Sequence, residues 1–182
     1  EWAILFSKSK TGQSRYPSWD WVIDLFKVPK NNKMNLSAHL CGAWVEDIFN
    51  GNFSFLKEEV SSVFSRIQLN MGKERLQKCV NNNNFLKLVG DPNLDKRVII
   101  GGNYNHINVG DNFFEDNYLL PLFDESGGRG VSTKQWKKPY SNSILHGYAG
   151  GLGPDNVAEE LKKINEVNNS FIWIDMETKL RS

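Results

Sequence analysis

Short apolar runs alternate along the chain with longer stretches whose apolar residues recur every three or four positions, the pattern of strands alternating with amphipathic helices. Ala3 to Ser7 is the first such run. A loop rich in Lys, Ser, Thr and Gly follows it, and Ser18 is placed as the N-cap of a helix from Trp19 to Lys27. Leu36 to Leu40 predicts a second strand, ending in Cys41-Gly42, and Trp44 to Phe49 with Phe55 to Phe64 behind it predicts helix. Arg66 to Leu69 is a third strand; the helix after it holds Glu74, Arg75, Leu76, Cys79 and Val80 and runs on through Asn81 to Asn84 as far as Leu88. Val98 to Ile100 is a fourth strand, ending in Gly101-Gly102, and the polar segment from Asn103 to Asp116 reads as a loop with a turn of helix. Leu119 to Phe123 and Ser143 to Leu145 are strands five and six, Val157 to Val167 is an amphipathic helix, and Phe171 to Ile174 is strand seven.

Strands that are apolar throughout are buried on both faces, as in a parallel sheet covered by helices, so the pattern predicts an α/β fold. An open doubly wound sheet and a closed (β/α)8 TIM barrel both fit this alternation. Glycine or polar residues stand at the C-terminal end of nearly every strand, which favours the barrel, whose site draws on all of those ends. A barrel of about 250 residues spends roughly 30 on each unit, so this chain spans about six to seven units. The expectation is one barrel domain over residues 1–182, with a first β/α unit and a last helix lying outside the residues given.

Composition narrows the partners. The 22 Lys and Arg nearly balance the 21 Asp and Glu, giving a formal net charge of +1, and the charges are dispersed along the chain. No basic stripe marks a nucleic-acid or anionic-membrane surface, so a small or locally charged ligand fits better. No run approaches the roughly 20 apolar residues needed to span a bilayer, and the first residues lack the character of a signal peptide, so a soluble, cytoplasmic protein is expected. Cys41 and Cys79 are too few and too differently placed for a disulfide framework and read as reduced thiols. His39, His106 and His146 stand at no metal-ligand spacing with each other or with the cysteines, so neither a metal nor another cofactor is expected. Trp19 with Trp21, Phe53 with Phe55 and Phe113 with Phe114 read as packing residues, and the Asn81 to Asn84 run as a low-complexity helix extension.

Two glycine clusters follow late strands: Gly127-Gly128-Arg129-Gly130 after the strand ending at Asp124, and the run Gly147-Tyr148-Ala149-Gly150-Gly151-Leu152-Gly153, which leads to a helix predicted from near Pro154. Glycine at such junctions exposes backbone N–H groups near a helix N-terminus, where a phosphate can sit. Two in succession suggest one anion site, the phosphate-binding type of barrel.

In this order the segments resemble phosphoribosylanthranilate isomerase, a phosphosugar-binding (β/α)8 enzyme of tryptophan biosynthesis. Ser14-Arg15-Tyr16-Pro17-Ser18 is similar to the family's Ser-Pro-Arg-Tyr-Val-Ser loop, which makes the first visible strand the family's second. Arg66-Ile67-Gln68-Leu69-Asn70 resembles its Val-Gln-Leu-His strand, with Asn70 in place of the histidine. Leu119 to Asp124, Gly127 to Gly130 and Trp136 resemble its Leu-Leu-Asp strand, Gly-Gly-Thr-Gly loop and following tryptophan. Ala149 to Val157 resembles Ala-Gly-Gly-Leu-x-Pro-Glu-Asn-Val, and Ile174 to Lys179 takes the place of Val-Asp-Val-Ser-Ser-Gly.

The resemblance implies an Amadori rearrangement, in which an acid protonates the ring oxygen of a phosphorylated aminofuranose while a base removes the proton from C2. Asp124 matches the acid, and partial desolvation at a strand end would raise its pKa; the alternative is an aspartate that accepts N–H bonds in a tight turn. The family's base is a cysteine ending its first strand, expected here upstream of Glu1. Cys41 ends another strand and reads as packing more readily than as a thiolate near Arg15. Arg15 matches the residue that pairs with the aglycone carboxylate, a task suited to a planar guanidinium, and Asp175 could hold a sugar hydroxyl. The phosphate would meet Gly128, Arg129, Gly130, Gly150, Gly151, Thr178 and Lys179. Glu177, where the family has serine, would repel a phosphate unless it points away, whereas Lys179 could add a charge contact. Two alternatives stay open: a non-catalytic phosphate- or phosphosugar-binding barrel, and another isomerase, epimerase or aldolase on the same scaffold. The oligomeric state is not legible.

Overall fold

A computed structural model describes residues 1–28, 34–56, 63–91, 97–102, 113–117, 119–126 and 129–180. Seven parallel strands pair strictly in sequence order: β1 (Trp2–Ser7), β2 (Leu36–Cys41), β3 (Arg66–Asn70), β4 (Arg97–Gly102), β5 (Leu119–Asp124), β6 (His146–Ala149) and β7 (Ile172–Ile174). A doubly wound sheet reverses its strand order at a switch point, and no reversal occurs here. Helices α1 (Trp19–Lys27), α2 (Ala43–Phe49), α3 (Lys73–Cys79), α4 (Asn83–Val89), the single turn α5 (Phe113–Asp116) and α6 (Val157–Val167) fall between the strands, and a 3-10 turn spans Thr178–Leu180.

The sheet is curled. Laid flat, six strand spacings of about 4.8 Å would hold β1 and β7 about 29 Å apart. Instead the Arg15 guanidinium, beyond β1, pairs with the Glu177 carboxylate, beyond β7. Leu5, His39, Gln68, Asp124, Ala149 and Asp175, from both ends of the sheet, line one cavity. The architecture is a partial TIM-like barrel in which β1 and β7 are the edges among the described residues.

Alternation along each strand separates two faces. On the convex face Phe6, Leu36, Ala38, Leu40, Ile67, Leu69, Val98, Ile100 and Leu119 pack against Val22, Val45, Ile48, Leu76, Phe85 and Leu88 of the helices. A second cluster joins Phe123, Tyr148, Ile172 and Ile174 to Trp136 and to Ile164 of α6. The concave face is divided: Ile99, Leu120, Leu122, Ala149 and Trp173 make its β4–β7 side apolar, whereas Ser37, His39, Gln68 and Asn70 make its β2–β3 side polar.

Three sequence expectations change. Strand six lies at His146–Ala149 and not at Ser143–Leu145. Gly147 is therefore a strand residue, and its missing side chain is where the Trp173 ring lies; a Cβ there would stand 2.2 Å from that ring. The helix expected to run past Asn84 is two helices, because the Asn82 side chain accepts a bond from Phe85 N–H and caps α4. Asn82 and Asn84 also both donate to the Phe49 carbonyl, so the asparagine run is a structural tie between α2 and α4. The amphipathic helix expected from Val157 to Val167 is α6, with those bounds. His106, most of the Asn103 to Asp116 segment, and Gly127-Gly128 lie outside the described residues.

Candidate functional site

Three turns meet at the C-terminal rim of the strands. The turn after β5 brings Val131 to Thr133 against Gly150 and Gly151: a Cβ on Gly151 would lie 2.5 Å from the Ser132 backbone nitrogen. Gly130, Gly150 and Gly151 have φ of +66°, +119° and +65°, conformations that a side chain disfavours. Asn156 braces the turn after β6, accepting from Gly153 N–H at 2.8 Å and donating to the Gly151 carbonyl at 2.9 Å. The third turn packs its Lys179 side chain where a Cβ on Gly153 would be, so glycine is required for this approach.

Of the residues singled out in the sequence, Asp124, Arg15, Gly130, Gly150, Gly151, Asp175 and Lys179 line one cavity of about 50 Å3 that opens to solvent. A neighbouring depression shares Leu5, Arg15, Gln68, Asn70 and Asp124 with it and adds Arg129 and Cys41. Arg129 is held by the turn: its N–H donates to Ser126 Oγ at 3.2 Å and its Nε to the Ser126 carbonyl at 2.8 Å. Thr178 opens the 3-10 turn, and Gly128 lies outside the described residues.

Asp124 ends β5, and its Oδ1 accepts from the Ser126 N–H at 3.0 Å and the Ser126 hydroxyl at 2.7 Å. These bonds are the tight-turn arrangement, and they also fix the carboxyl at the cavity wall. Asp175 follows β7, where burial first, and the Glu177 and Asp124 carboxylates second, push its carboxyl up to about 6. It can therefore hold or release a proton near neutrality. Arg15 is engaged by Glu177, so an incoming carboxylate would compete with a resident one for the guanidinium.

Cys41 is held as a thiol. Burial pushes its pKa up, and this outweighs the lowering from the Asn70 amide, which donates to Sγ at 3.1 Å, and from Arg15. Asn70 in turn accepts from Gln68 Nε2 at 3.0 Å. At the cavity floor stands His39, 7 % exposed, its imidazole drawn down to about 4 by burial and so neutral at physiological pH. Sequence reasoning passed over His39, Gln68 and Ser126 as site residues. The signal for the first two was present in β2 and β3, where Ser37-His39-Cys41 and Gln68-Asn70 alternate with apolar residues. Among the described residues no three His, Cys, Asp or Glu side chains gather as metal ligands, and no helix is long and apolar enough to cross a membrane.

The class defined by fold and geometry is a TIM-like α/β protein with a polar cavity at the C-terminal ends of its strands. No family model, curated protein or solved structure matches the chain.

Proposed function

We propose that this chain binds a phosphorylated sugar at the strand rim and isomerises it in the manner of phosphoribosylanthranilate isomerase, opening a phosphorylated aminofuranose to its amino-ketose. The observation that carries the reading is the shared cavity of Asp124, Asp175, Arg15, Lys179 and the positive-φ glycines 130, 150 and 151. The phosphate lies against Gly150, Gly151 and Lys179, where small residues let backbone approach an anion. This places it beside the last two strands, the usual phosphate position of such barrels. Asp124, oriented by Ser126, protonates the ring oxygen. The reading also requires a base for the C2 proton, a part that the family resemblance gives to a cysteine and that none of these rim residues takes. Asp175 meets a sugar hydroxyl, and a carboxylated aglycone binds Arg15 by replacing Glu177.

A general acid contributes about 10²- to 10⁴-fold to rate. Asp124→Asn is therefore expected to lower ketose formation at least a hundredfold while calorimetric binding of inorganic phosphate stays within twofold. Wild-type turnover in that variant would overturn the acid assignment. A second reading, a phosphosugar-binding barrel without catalysis, is favoured by one contact: the Arg15 guanidinium already has a carboxylate partner in Glu177. Binding without turnover in the wild-type chain selects it.

A further inference from the structure

His39 is the most deeply set titratable group in the cavity, and the reaction scheme above gives it no part. The His39 carbonyl accepts from Cys41 Sγ, but its imidazole makes no hydrogen bond among the described residues, and the ring nitrogens stay accessible from the cavity that His39 lines, where water or a ligand must supply their partners. Of its neighbours on the concave face, Gln68 donates to Asn70 and Asn70 donates to Cys41, whereas Ser37 Oγ and Trp173 Nε1 are unpaired among the described residues but sealed from the cavity solvent. By register His39 lies directly beside Gln68 and opposite Leu5, so its ring is flanked on one side by an amide and on the other by an apolar side chain.

A neutral imidazole carries one donor and one acceptor nitrogen, the complement of a hydroxyl, which offers both. A carboxylate or phosphate would satisfy only the donor. The cavity therefore has two ends of different chemistry, an anion-compatible rim of glycine turns with Lys179 beside β6 and β7, and a neutral, hydroxyl-matching floor on β2.

We propose that His39 is a ligand contact: with the phosphate of a sugar phosphate at the β6–β7 turns, a hydroxyl of its polyol portion reaches the floor and pairs with the His39 imidazole. The proposal rests on the phosphosugar reading and adds to it an orientation and a specificity residue, since a deep neutral partner rewards a hydroxylated body and is indifferent to the phosphate. A buried polar partner left unpaired typically weakens binding by roughly tenfold to a hundredfold.

The test compares ribose 5-phosphate with inorganic phosphate by calorimetry on the wild type, His39→Leu and His39→Gln, with thermal melts as a check of folding. The expected result is a tenfold or greater loss of ribose 5-phosphate affinity in His39→Leu, unchanged phosphate affinity in both variants, and partial recovery of the sugar phosphate in His39→Gln, which keeps hydrogen-bonding capacity. Wild-type affinity for ribose 5-phosphate in His39→Leu overturns the proposal, as does an equal loss for both probes, which would mark a structural role. Should His39→Leu fail to fold, the imidazole nitrogen resonances of the wild-type chain decide: they shift with ribose 5-phosphate and not with phosphate if the contact exists, and unmoved resonances overturn it. Failure of the wild type to bind either probe removes the phosphosugar reading and this proposal together, whereas binding of both with an insensitive His39 removes this proposal alone.

Discussion

The convex and concave faces are made by alternate residues of the same strands, yet they serve opposite ends. In β2, Leu36, Ala38 and Leu40 face the helices while Ser37, His39 and Cys41 face the barrel interior; in β3, Ile67 and Leu69 oppose Gln68 and Asn70. The convex residues remove apolar surface from water and supply stability, about 1.5–3 kcal/mol for each fully buried large side chain. The concave residues place polar groups at low exposure, which costs stability and provides chemistry. One strand thus carries both, segregated by the two-residue period of its backbone.

The largest expected effect that tests this contrast comes from truncating the convex face. Ile67 is 1 % exposed within the main cluster, and Ile67→Ala should lower unfolding free energy by about 2–5 kcal/mol. The adjacent concave change Gln68→Met, of similar volume, removes the bond to Asn70 and should cost about 0.5–1.5 kcal/mol. Urea denaturation of both variants measures the difference, and equal losses would dissolve the distinction between the faces.

A smaller effect follows from Asp175. Its carboxyl titrates at about 6 in the folded chain against an ordinary 3.8, so between these pH values the folded state keeps a proton that the unfolded state has released. The contribution of Asp175 to stability is therefore intact below about pH 4 and is lost as the pH rises through 6. His39 and His146, drawn down to about 4, act in the opposite sense over the same range, but they are common to wild type and variant and cancel in the comparison. Asp175→Asn never ionises and should be more stable than wild type at pH 7 by on the order of 1–3 kcal/mol, with no gain at pH 3. Denaturation curves at the two pH values check the sign; a variant less stable at pH 7 would mean that the ionised carboxyl is favoured where it lies.

The convex face was legible because its signal is local. Apolar runs and helical spacing placed β1 to β5, β7, α1, α2 and α6, and polar residues at strand ends pointed to a barrel-like arrangement. What escaped depends on distant residues. Gly147 looked like part of a turn, which displaced β6 toward Ser143; its place inside the strand is set by Trp173, whose ring needs the space. The Asn81 to Asn84 run looked like biased composition, whereas Asn82 and Asn84 tie α4 to the end of α2. Arg15 stood out as a site residue, but its pairing with Glu177 spans 162 positions and arises only when the sheet curls. His39 and Gln68 were hidden for another reason. Their strands were taken as uniformly apolar, and the alternation within them, the mark of a polar barrel interior, went unweighted.

The anion site proposed at the concave rim would be built from the turns after β5, β6 and β7. Titration of the isotopically labelled chain with inorganic phosphate, followed by backbone amide resonances, tests it most directly. Saturable shifts are expected at Gly130, Gly150, Gly151 and Lys179, with the helices of the convex face unmoved. Absence of saturable shifts at those four amides, or shifts centred on α1 to α4, would contradict it.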